Sequence, residues 1–279
     1  MAKTFTTVTI TDTTASKESQ VQFARSALPL SEEVQELAAR IAAEPDSSEL
    51  WMQKGLALSK QMLFREAIEA YSMGLARNPF HALLYRHRGH RYISVRCFEQ
   101  AAADLEMATR LDPKNWDSWY HLGLAYYLLG EYENAAKVYE SCLNASRDDA
   151  DRVAVIDWYW MTCKRLGREE RADQLLEMVH EDTDPGENAS YLRRILMYKG
   201  LIRPEELMDI EGAPFPELEL VTQGYGLANY YHLNGDEEKC DALLRQILGA
   251  KQFWAAFGYL AALVDAKSKG YDFEDTAAL

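Results

Sequence analysis

A short basic segment holds the side chains of this sequence that are best suited to binding an anion. From Tyr85 to Tyr92 the sequence reads YRHRGHRY, with three arginines and two histidines. No Asp or Glu occurs from Ala70 to Phe98, a run of 29 residues with five arginines and no lysine. Arginine donates in a planar fork that matches the two oxygens of a carboxylate or phosphate, and histidine gains a charge near about pH 6.5. The segment therefore predicts a site for a small anionic group. At acidic pH the histidines would be protonated, and binding of the anion would be stronger.

The charge of the whole chain restricts which anions are expected to bind. The 279 residues include 30 Lys and Arg against 44 Asp and Glu, which gives a net charge of −14. The arginine-rich run contributes +5, so the rest, with 25 cations against 44 anions, carries −19. Because that field repels polyanions, we expect neither nucleic acid nor a membrane surface as a partner. A single acidic group on a protein or peptide is the ligand that the local charge predicts.

A period of 34 residues organises the sequence around the basic segment. The most regular columns are Pro45, Pro79 and Pro113; Gly55, Gly89 and Gly123; Ala67, Ala101 and Ala135; and Trp51, Tyr85 and Trp119. Small residues allow two helices of one unit to cross closely, and each proline ends a second helix. Over about residues 49–146 the pattern resembles the tetratricopeptide repeat family. The resemblance implies an all-α, right-handed superhelical solenoid of antiparallel helix pairs, with a concave groove that binds a peptide or a partner helix.

The repeat pattern and the flanking sequence predict five segments. Residues 1–30 are expected to be a disordered, Thr-rich leader, the alternative being an extended strand in the groove of the same or a neighbouring molecule. Residues 31–48 are expected to form a helix that stands for half a repeat. Residues 49–181 are expected to form the repeat array, with three clear repeats and a divergent fourth. Divergent repeat-like helices and a C-terminal capping helix are expected over residues 182–267, and a polar tail over residues 268–279.

Three local features refine this organisation. Ser31 precedes two glutamates, so it is expected to be the N-cap of the first helix. Trp160 stands where the earlier units have glycine, and the fourth helix pair should therefore pack differently. The segment Phe253–Ala266 is apolar on one face and is expected to cover the last unit.

The repeat register identifies the side chains that should face the groove. The expected partner-binding residues are Arg86, His87, His90, Tyr120, His121, Leu124, Tyr127 and Asp157. Arg88 stands in a packing column instead, and its charged end is expected to extend to solvent. A second interpretation is that the arginines only pair with acids of adjacent units, without a binding function. The acids considered for such pairing are Glu66, Glu69, Asp104 and Asp117.

The sequence gives little support to a metal, a cofactor or a catalytic site. His87 and His90 lie one helical turn apart, but no carboxylate or cysteine near them completes a ligand set, and the arginines repel a cation. No Gly-rich phosphate loop, HExxH motif or GxSxG motif occurs. We therefore expect no catalytic, cofactor-binding or metal-binding residues.

One specialisation of the family can be compared residue by residue. Members that bind heat-shock chaperones hold a C-terminal carboxylate in a clamp of lysine, asparagine and arginine. The matching positions in this sequence are Met52, Leu56, His87, Asp117 and His121. None of them has the clamp residue, and Asp117 has the opposite charge, so this form of carboxylate recognition is not expected.

The sequence thus predicts a non-enzymatic scaffold or adaptor that binds a peptide or partner segment, acidic or carboxylate-bearing, in the groove. One alternative is an enzyme or small-anion-binding protein that uses Arg86, His90 and Asp157. Another is a structural homo-oligomer that associates through the apolar face around Trp254 and Phe257. Four scattered cysteines and the lack of a long apolar stretch predict a cytoplasmic setting with buried, structural thiols.

Overall fold

A computed structural model describes residues 29–271 of the chain, and in that part it contains fourteen α-helices, one 3-10 helix and no strand. The α-helices are α1 (Glu32–Ala43), α2 (Ser48–Lys60), α3 (Phe64–Leu75), α4 (Ala82–Ser94), α5 (Phe98–Leu111), α6 (Trp116–Leu128), α7 (Tyr132–Asn144), α8 (Asp149–Arg165), α9 (Glu169–Leu176), α10 (Ala189–Tyr198), α11 (Pro204–Leu207), α12 (Pro216–Leu233), α13 (Glu237–Gly249) and α14 (Phe257–Ser268). The predicted all-α class is confirmed. Residues 1–28 of the expected leader and residues 272–279 of the expected tail lie outside the described part.

The chain divides between Asp112 and Pro113 into two compact units. In the first unit, α1 packs on α2, and the helix pairs α2/α3 and α4/α5 form two successive repeats. In the second unit, the pairs α6/α7, α8/α9 and α12/α13 are joined by α10, which packs on α8 and α12, and by α14, which packs on α12 and α13.

Side-chain caps fix the starts of several helices. The Ser31 hydroxyl accepts a hydrogen bond from the Val34 backbone N–H, which confirms Ser31 as the N-cap of α1. Ser47 caps α2 in the same way, and Asn115 caps α6 through a 2.9 Å bond from the Ser118 backbone N–H. Each cap satisfies a backbone donor that the first helical turn leaves without a partner.

The glycine column is explained by contacts between residues 16 positions apart. A Cβ atom added to Gly55 would lie 2.2 Å from the Tyr71 ring, and one added to Gly123 would lie 2.4 Å from the Tyr139 ring. In the repeat between them, a Cβ on Gly89 would lie 2.7 Å from Leu105. The first helix of each repeat therefore needs glycine because a large side chain of the second helix occupies that space, as the sequence predicted.

The turn inside each of the first three repeats places a residue in the left-handed region of the backbone. The φ angles are 59° at Met62, 63° at Arg96 and 75° at Gly130, and the three positions are 34 residues apart. Only Gly130 is free of the steric conflict that a Cβ atom creates in this region. Met62 and Arg96 thus adopt the conformation because the repeat geometry requires it.

A recurring hydrogen bond joins the start of a repeat to the preceding proline. The indole N–H of Trp51 donates to the Pro45 carbonyl at 3.1 Å, and that of Trp119 donates to the Pro113 carbonyl at 2.8 Å. The aromatic column therefore fixes the entry into the repeat as well as filling space. The Arg77 guanidinium also packs over Trp51, with its Cζ atom 5.2 Å from the centroid of the Trp51 ring.

The divergent part departs from the repeat where Trp160 replaces glycine. Its indole stacks on the Tyr198 ring of α10, with 3.8 Å between centroids and 9° between planes. The fourth pair therefore packs against an additional helix, in agreement with the expectation of different packing. The helix predicted from Phe253 begins only at Phe257, because Lys251–Phe253 form a 3-10 turn first.

All four cysteines lie within the described residues, and each is a buried thiol. Cys142 and Cys163 have no solvent-exposed surface, and burial raises the pKa of the Cys163 thiol to about 11. Such thiols are protonated at neutral pH and pack as small apolar groups. The structural role that the sequence predicted for them is therefore the one they have.

Candidate functional site

The first unit contains an open cavity of about 490 Å³ between α1, α2, α3 and α4. Its lining residues are Glu33, Gln53, Leu56, Ser59, Lys60, Tyr71, Arg86, His87, His90 and Arg91. Three of the predicted groove residues, Arg86, His87 and His90, are therefore brought together here. Among the lining residues, cations and histidines predominate and Glu33 is the acid. The arrangement is suited to an anionic group.

The helix α4 positions four of these side chains on one face. Arg86 and His90 are four positions apart, as are His87 and Arg91, and this spacing places side chains on the same side of a helix. Leu84, from the same helix, is fully buried against the rest of the unit. The apolar packing of α4 thus fixes which of its side chains point toward the cavity.

Tyr71 and His87 form a flat surface in the cavity. Their rings stack with 5.7 Å between centroids and 21° between planes, and the Tyr71 hydroxyl lies 3.2 Å from the Ser59 hydroxyl. The Arg86 Nη1 lies 3.0 Å from His87 Nδ1. Because a guanidinium can only donate, His87 Nδ1 accepts this bond and the ring carries its proton on Nε2.

Arg91 lies one turn further along α4 and is a cavity residue that the repeat register did not predict. Its guanidinium lies 4.6 Å from the centroid of the Phe64 ring, and the side chain is partly buried. Burial lowers the pKa of Arg91 to about 10, and the nearby charge of Arg86 acts in the same direction. Arg91 therefore remains charged at neutral pH in surroundings that disfavour the charge.

A signal for Arg91 was present in the repeat columns. The equivalent residues one repeat earlier and one repeat later are Ala57 and Ala125, which are 1% and 0% exposed. An arginine in a column of buried alanines is not needed for packing of the repeat. The signal in the sequence is thus the departure of Arg91 from its column in both size and charge.

The rim of the cavity is formed by α1 and the end of α2. Lys60 Nζ lies 3.0 Å from the Glu33 carboxylate, and both side chains are more than half exposed. The adjacent Gln61 accepts a hydrogen bond from the Ser31 backbone N–H at 3.0 Å and donates to the Pro29 carbonyl at 3.2 Å. These bonds hold the chain that leads into α1 beside the rim.

Arg88 has a structural role. Its Nε and Nη2 donate to the two carboxylate oxygens of Asp104 at 2.6 and 2.8 Å, and Nη1 donates to the Ser72 hydroxyl at 2.9 Å. The Arg88 side chain is only 19% exposed and that of Asp104 only 10%. The expectation that Arg88 extends its charged end to solvent is wrong, because Asp104 provides an internal partner. For this arginine the pairing interpretation is correct.

The other predicted groove residues belong to the second unit, and they are buried there. Their exposed fractions are 5% for Tyr120, 4% for His121, 0% for Leu124, 2% for Tyr127 and 0% for Asp157. The expectation that these side chains line an open groove is therefore wrong. The physical reason is that helices from the C-terminal part of the chain cover this face of α6 and α8.

Aromatic contacts show which helices cover the face. The Phe257 ring of α14 lies 5.6 Å from the His121 ring and 6.3 Å from the Tyr120 ring. The Tyr225 hydroxyl of α12 lies 2.8 Å from the Tyr127 hydroxyl. The surface that could have received a partner helix in this unit is thus occupied by helices of the same chain.

Two ion pairs reinforce this covering. Asp157 lies 2.8 Å from Arg194 of α10, with both side chains fully buried. Arg165 at the end of α8 lies 2.6 Å from Asp265 of α14, and the Tyr225 hydroxyl donates to the same carboxylate at 3.0 Å. Charged groups thus join α8 to α10, α12 and α14.

One cluster on α13 has residue types that ligate metals. Glu237, Cys240 and Asp241 lie close together, but Lys269 Nζ lies 2.6, 3.4 and 2.6 Å from their side chains. The Lys269 ammonium therefore balances the charge of these groups. Its hydrogen bond to Asp241 is the chief reason why the pKa of that carboxyl lies below the usual value. The arrangement is that of an ion-pair cluster.

Among the helices of residues 29–271, none combines the length and the apolar character needed to cross a membrane.

Comparisons with known proteins agree with the repeat architecture. The tetratricopeptide repeat family model matches residues 89–156. A relative from Aspergillus fumigatus, "Heat-shock protein cognate (HSC) co-chaperone sgt12", is 31% identical over 104 residues, which is 37% of this chain and 30% of the relative. The "Hsp70-Hsp90 organizing protein" of Triticum aestivum is 24% identical over 171 residues, which is 61% of this chain and 29% of the relative. The chain thus spans about a third of the length of these relatives.

Among solved structures, "Crystal structure of YrrB: a TPR protein with an unusual peptide-binding site" is similar with a TM-score of 0.49 and 15% identity. The similarity covers 84% of this chain and 99% of that one. The repeat columns, the helix pairs and the family match together define the class. The chain contains tetratricopeptide repeats.

Proposed function

We propose that this chain is a protein-interaction adaptor that binds an acidic segment of a partner protein in the cavity of the first unit. The observation that carries the proposal is the lining of that cavity, where Arg86, Arg91 and Lys60 meet two histidines and one acid. Opposite charge in a concave site favours capture of an acidic segment. Apolar atoms of Leu56 and the ring of Tyr71 supply surface for neighbouring side chains of that segment.

The second unit supports this location indirectly. Its face of α6 is covered by Phe257 and Tyr225, so a partner segment would have to displace helices of the same chain to bind there. Among residues 29–271, no helix closes the cavity of the first unit. Binding there would therefore displace none of the described helices.

The positions of Asp157 and Phe257 give less support to the enzyme and homo-oligomer hypotheses than to the adaptor hypothesis. The enzyme hypothesis requires Asp157 beside Arg86 and His90 in an enclosed pocket, but Asp157 is fully buried against Arg194. The homo-oligomer hypothesis uses the face of Phe257, which packs on Tyr120 and His121 of the same chain. The adaptor hypothesis requires neither.

Affinity capture followed by mass spectrometry tests the proposal. We expect the double change Arg86→Glu with His90→Glu to remove the captured partners, because it replaces attraction by repulsion at the cavity. The matched control is Arg110→Glu, which makes the same type of charge change at an exposed position outside the cavity. Helicity and melting temperature should stay unchanged in all variants. Capture of the same partners by the double variant would show that the cavity is not the binding site.

A further inference from the structure

Arg91 differs from three other arginines that are held in poorly solvated surroundings. Arg88, Arg165 and Arg194 have side chains that are 19%, 13% and 0% exposed, and each is paired with an aspartate at 2.6 to 2.8 Å. For Arg91, no carboxylate of residues 29–271 lies within ion-pair distance. The guanidinium packs instead on the Phe64 ring and reaches the cavity.

Such a charge is unfavourable for the isolated protein. Removing a charged group from water costs free energy unless an opposite charge and hydrogen bonds replace the lost solvation. Arg91 lacks a carboxylate among the described residues, and its equivalents Ala57 and Ala125 show that the repeat packs without an arginine. The desolvation cost of the Arg91 guanidinium is therefore not offset by a carboxylate of the described residues. A ligand with an acidic group would offset it, and this gain would add to the affinity.

We propose that Arg91 is the specificity-determining residue of the cavity, and that its guanidinium holds a carboxylate of the partner segment. The inference rests on the proposed adaptor function and names the group that is recognised. A carboxylate accepts two parallel hydrogen bonds from a guanidinium, which matches the fork of Arg91. The carboxylate can come from an Asp or Glu side chain or from a C-terminus.

Lys60 balances Glu33 at 3.0 Å, so Arg86 and Arg91 give the cavity a net positive charge. That charge attracts a carboxylate and a phosphate monoester alike. The planar pair of oxygens of a carboxylate matches a single guanidinium, and a phosphoserine peptide therefore serves as a comparison in the test.

The test uses synthetic, fluorescein-labelled octapeptides of alternating Glu and Leu and the full chain. One form has a free C-terminus, a second has an amidated C-terminus, and a third is amidated with every Glu replaced by Gln. We expect the wild type to bind at least one carboxylate-bearing form and not the third. Loss of binding on amidation would assign the carboxylate to the C-terminus, and retention would assign it to the side chains. Absence of binding by the wild type to all forms would overturn both the acidic-segment proposal and this one.

Variants at position 91 distinguish the two proposals. We expect Arg91→Ala to weaken binding by at least tenfold and Arg91→Lys to weaken it less, while the exposed control Arg110→Ala changes nothing. Binding by Arg91→Ala within twofold of the wild type, combined with loss in the Arg86→Glu/His90→Glu variant, would overturn the role of Arg91 and leave the adaptor proposal standing. Tighter binding of a phosphoserine peptide than of its Glu counterpart would overturn the choice of a carboxylate.

A measurement without ligand separates recognition from a structural role. Removing a charge that lacks an internal partner should leave the melting temperature of Arg91→Ala equal to or above that of the wild type. A structural arginine would give the opposite result, as expected for Arg88→Ala, which breaks the pair with Asp104. A clear fall in the melting temperature of Arg91→Ala would therefore contradict the proposal.

Discussion

The carboxylate of Asp157 lies 2.8 Å from the guanidinium of Arg194, and both side chains are completely excluded from solvent. Arg194 also lies between aromatic rings, at 5.6 Å from Trp158 and 5.3 Å from Tyr191. Burial raises the pKa of Asp157 to about 7, against the opposing effect of the Arg194 charge. The pair therefore fixes α10 on α8 at a considerable cost in desolvation.

The change Asp157→Asn should destabilise the second unit strongly. It leaves the Arg194 guanidinium buried without a counter-charge, which costs about 3–5 kcal/mol. Urea denaturation followed by circular dichroism would measure the loss. The double change Asp157→Leu with Arg194→Met removes both charges and should recover most of the stability, because apolar pairs often replace buried ion pairs well. A single variant that loses less than about 1 kcal/mol would contradict this account of the pair.

The change Arg147→Ala should lower stability in a pH-dependent manner. Burial acts to raise the pKa of Asp151, but hydrogen bonds from the Arg147 side chain and backbone outweigh it and hold the pKa below the ordinary 3.8. For a carboxyl with a lowered pKa, the added stability is present above the ordinary pKa and is lost as the pH falls through the folded value. Arg147 is 68% exposed, so we expect a loss of only about 0.5–1 kcal/mol at pH 7.

Unfolding curves of wild type and Arg147→Ala at pH 7 and at successively lower pH would test this. The difference between the two proteins should shrink once the pH falls below the ordinary carboxyl value of 3.8. A difference that stays constant across this range would show that Arg147 acts through packing and not through the Asp151 charge.

The left-handed turns offer a matched pair of changes. Met62→Gly should stabilise the first unit by about 0.5–1 kcal/mol, since glycine relieves the steric conflict at φ 59° and the Met62 side chain is 46% exposed. Gly130→Ala should destabilise the second unit by about 1 kcal/mol. A Cβ on Gly130 meets no atom within 4 Å, so its effect would come from the backbone alone. Thermal melting measures both, and changes of the same sign would contradict the explanation.

The glycine that accommodates Tyr71 should not tolerate alanine. In Gly55→Ala the new Cβ would lie 2.2 Å from the Tyr71 ring, and we expect a loss of about 1–3 kcal/mol from overpacking. The control is Gly249→Ala in α13, where no atom lies within 4 Å of the added group. There we expect a gain of about 0.5 kcal/mol from helix propensity. Equal melting temperatures for the two variants would argue against a steric role for Gly55.

The sequence predicts the contacts that recur with the repeat. Gly55 with Tyr71 and Gly123 with Tyr139 follow from one register, because each repeat solves the same packing problem in the same way. Ser31 is predicted as a cap because a local hydrogen bond determines its role. The position of Arg91 was also accessible in principle, since its column holds Ala57 and Ala125.

The covered face of the second unit was not predictable in this way. Phe257 is 136 residues from His121, and no periodicity relates the two positions. The polar and aromatic side chains of α6 have the same pattern whether they meet a partner or a later helix of the chain. Only the folded arrangement distinguishes the two outcomes.

The helix α14 also determines how partners should be sought. A bait that ends at residue 181, where the recognisable repeats stop, would lack Tyr225 and Phe257. It would present the aromatic side chains of Tyr120 and Tyr127 to the surrounding solution, although the whole chain keeps them at 5% exposure or less. Proteins collected by such a fragment would adhere to a surface that the whole chain conceals. False interactors of this kind are avoided by screening with all 279 residues.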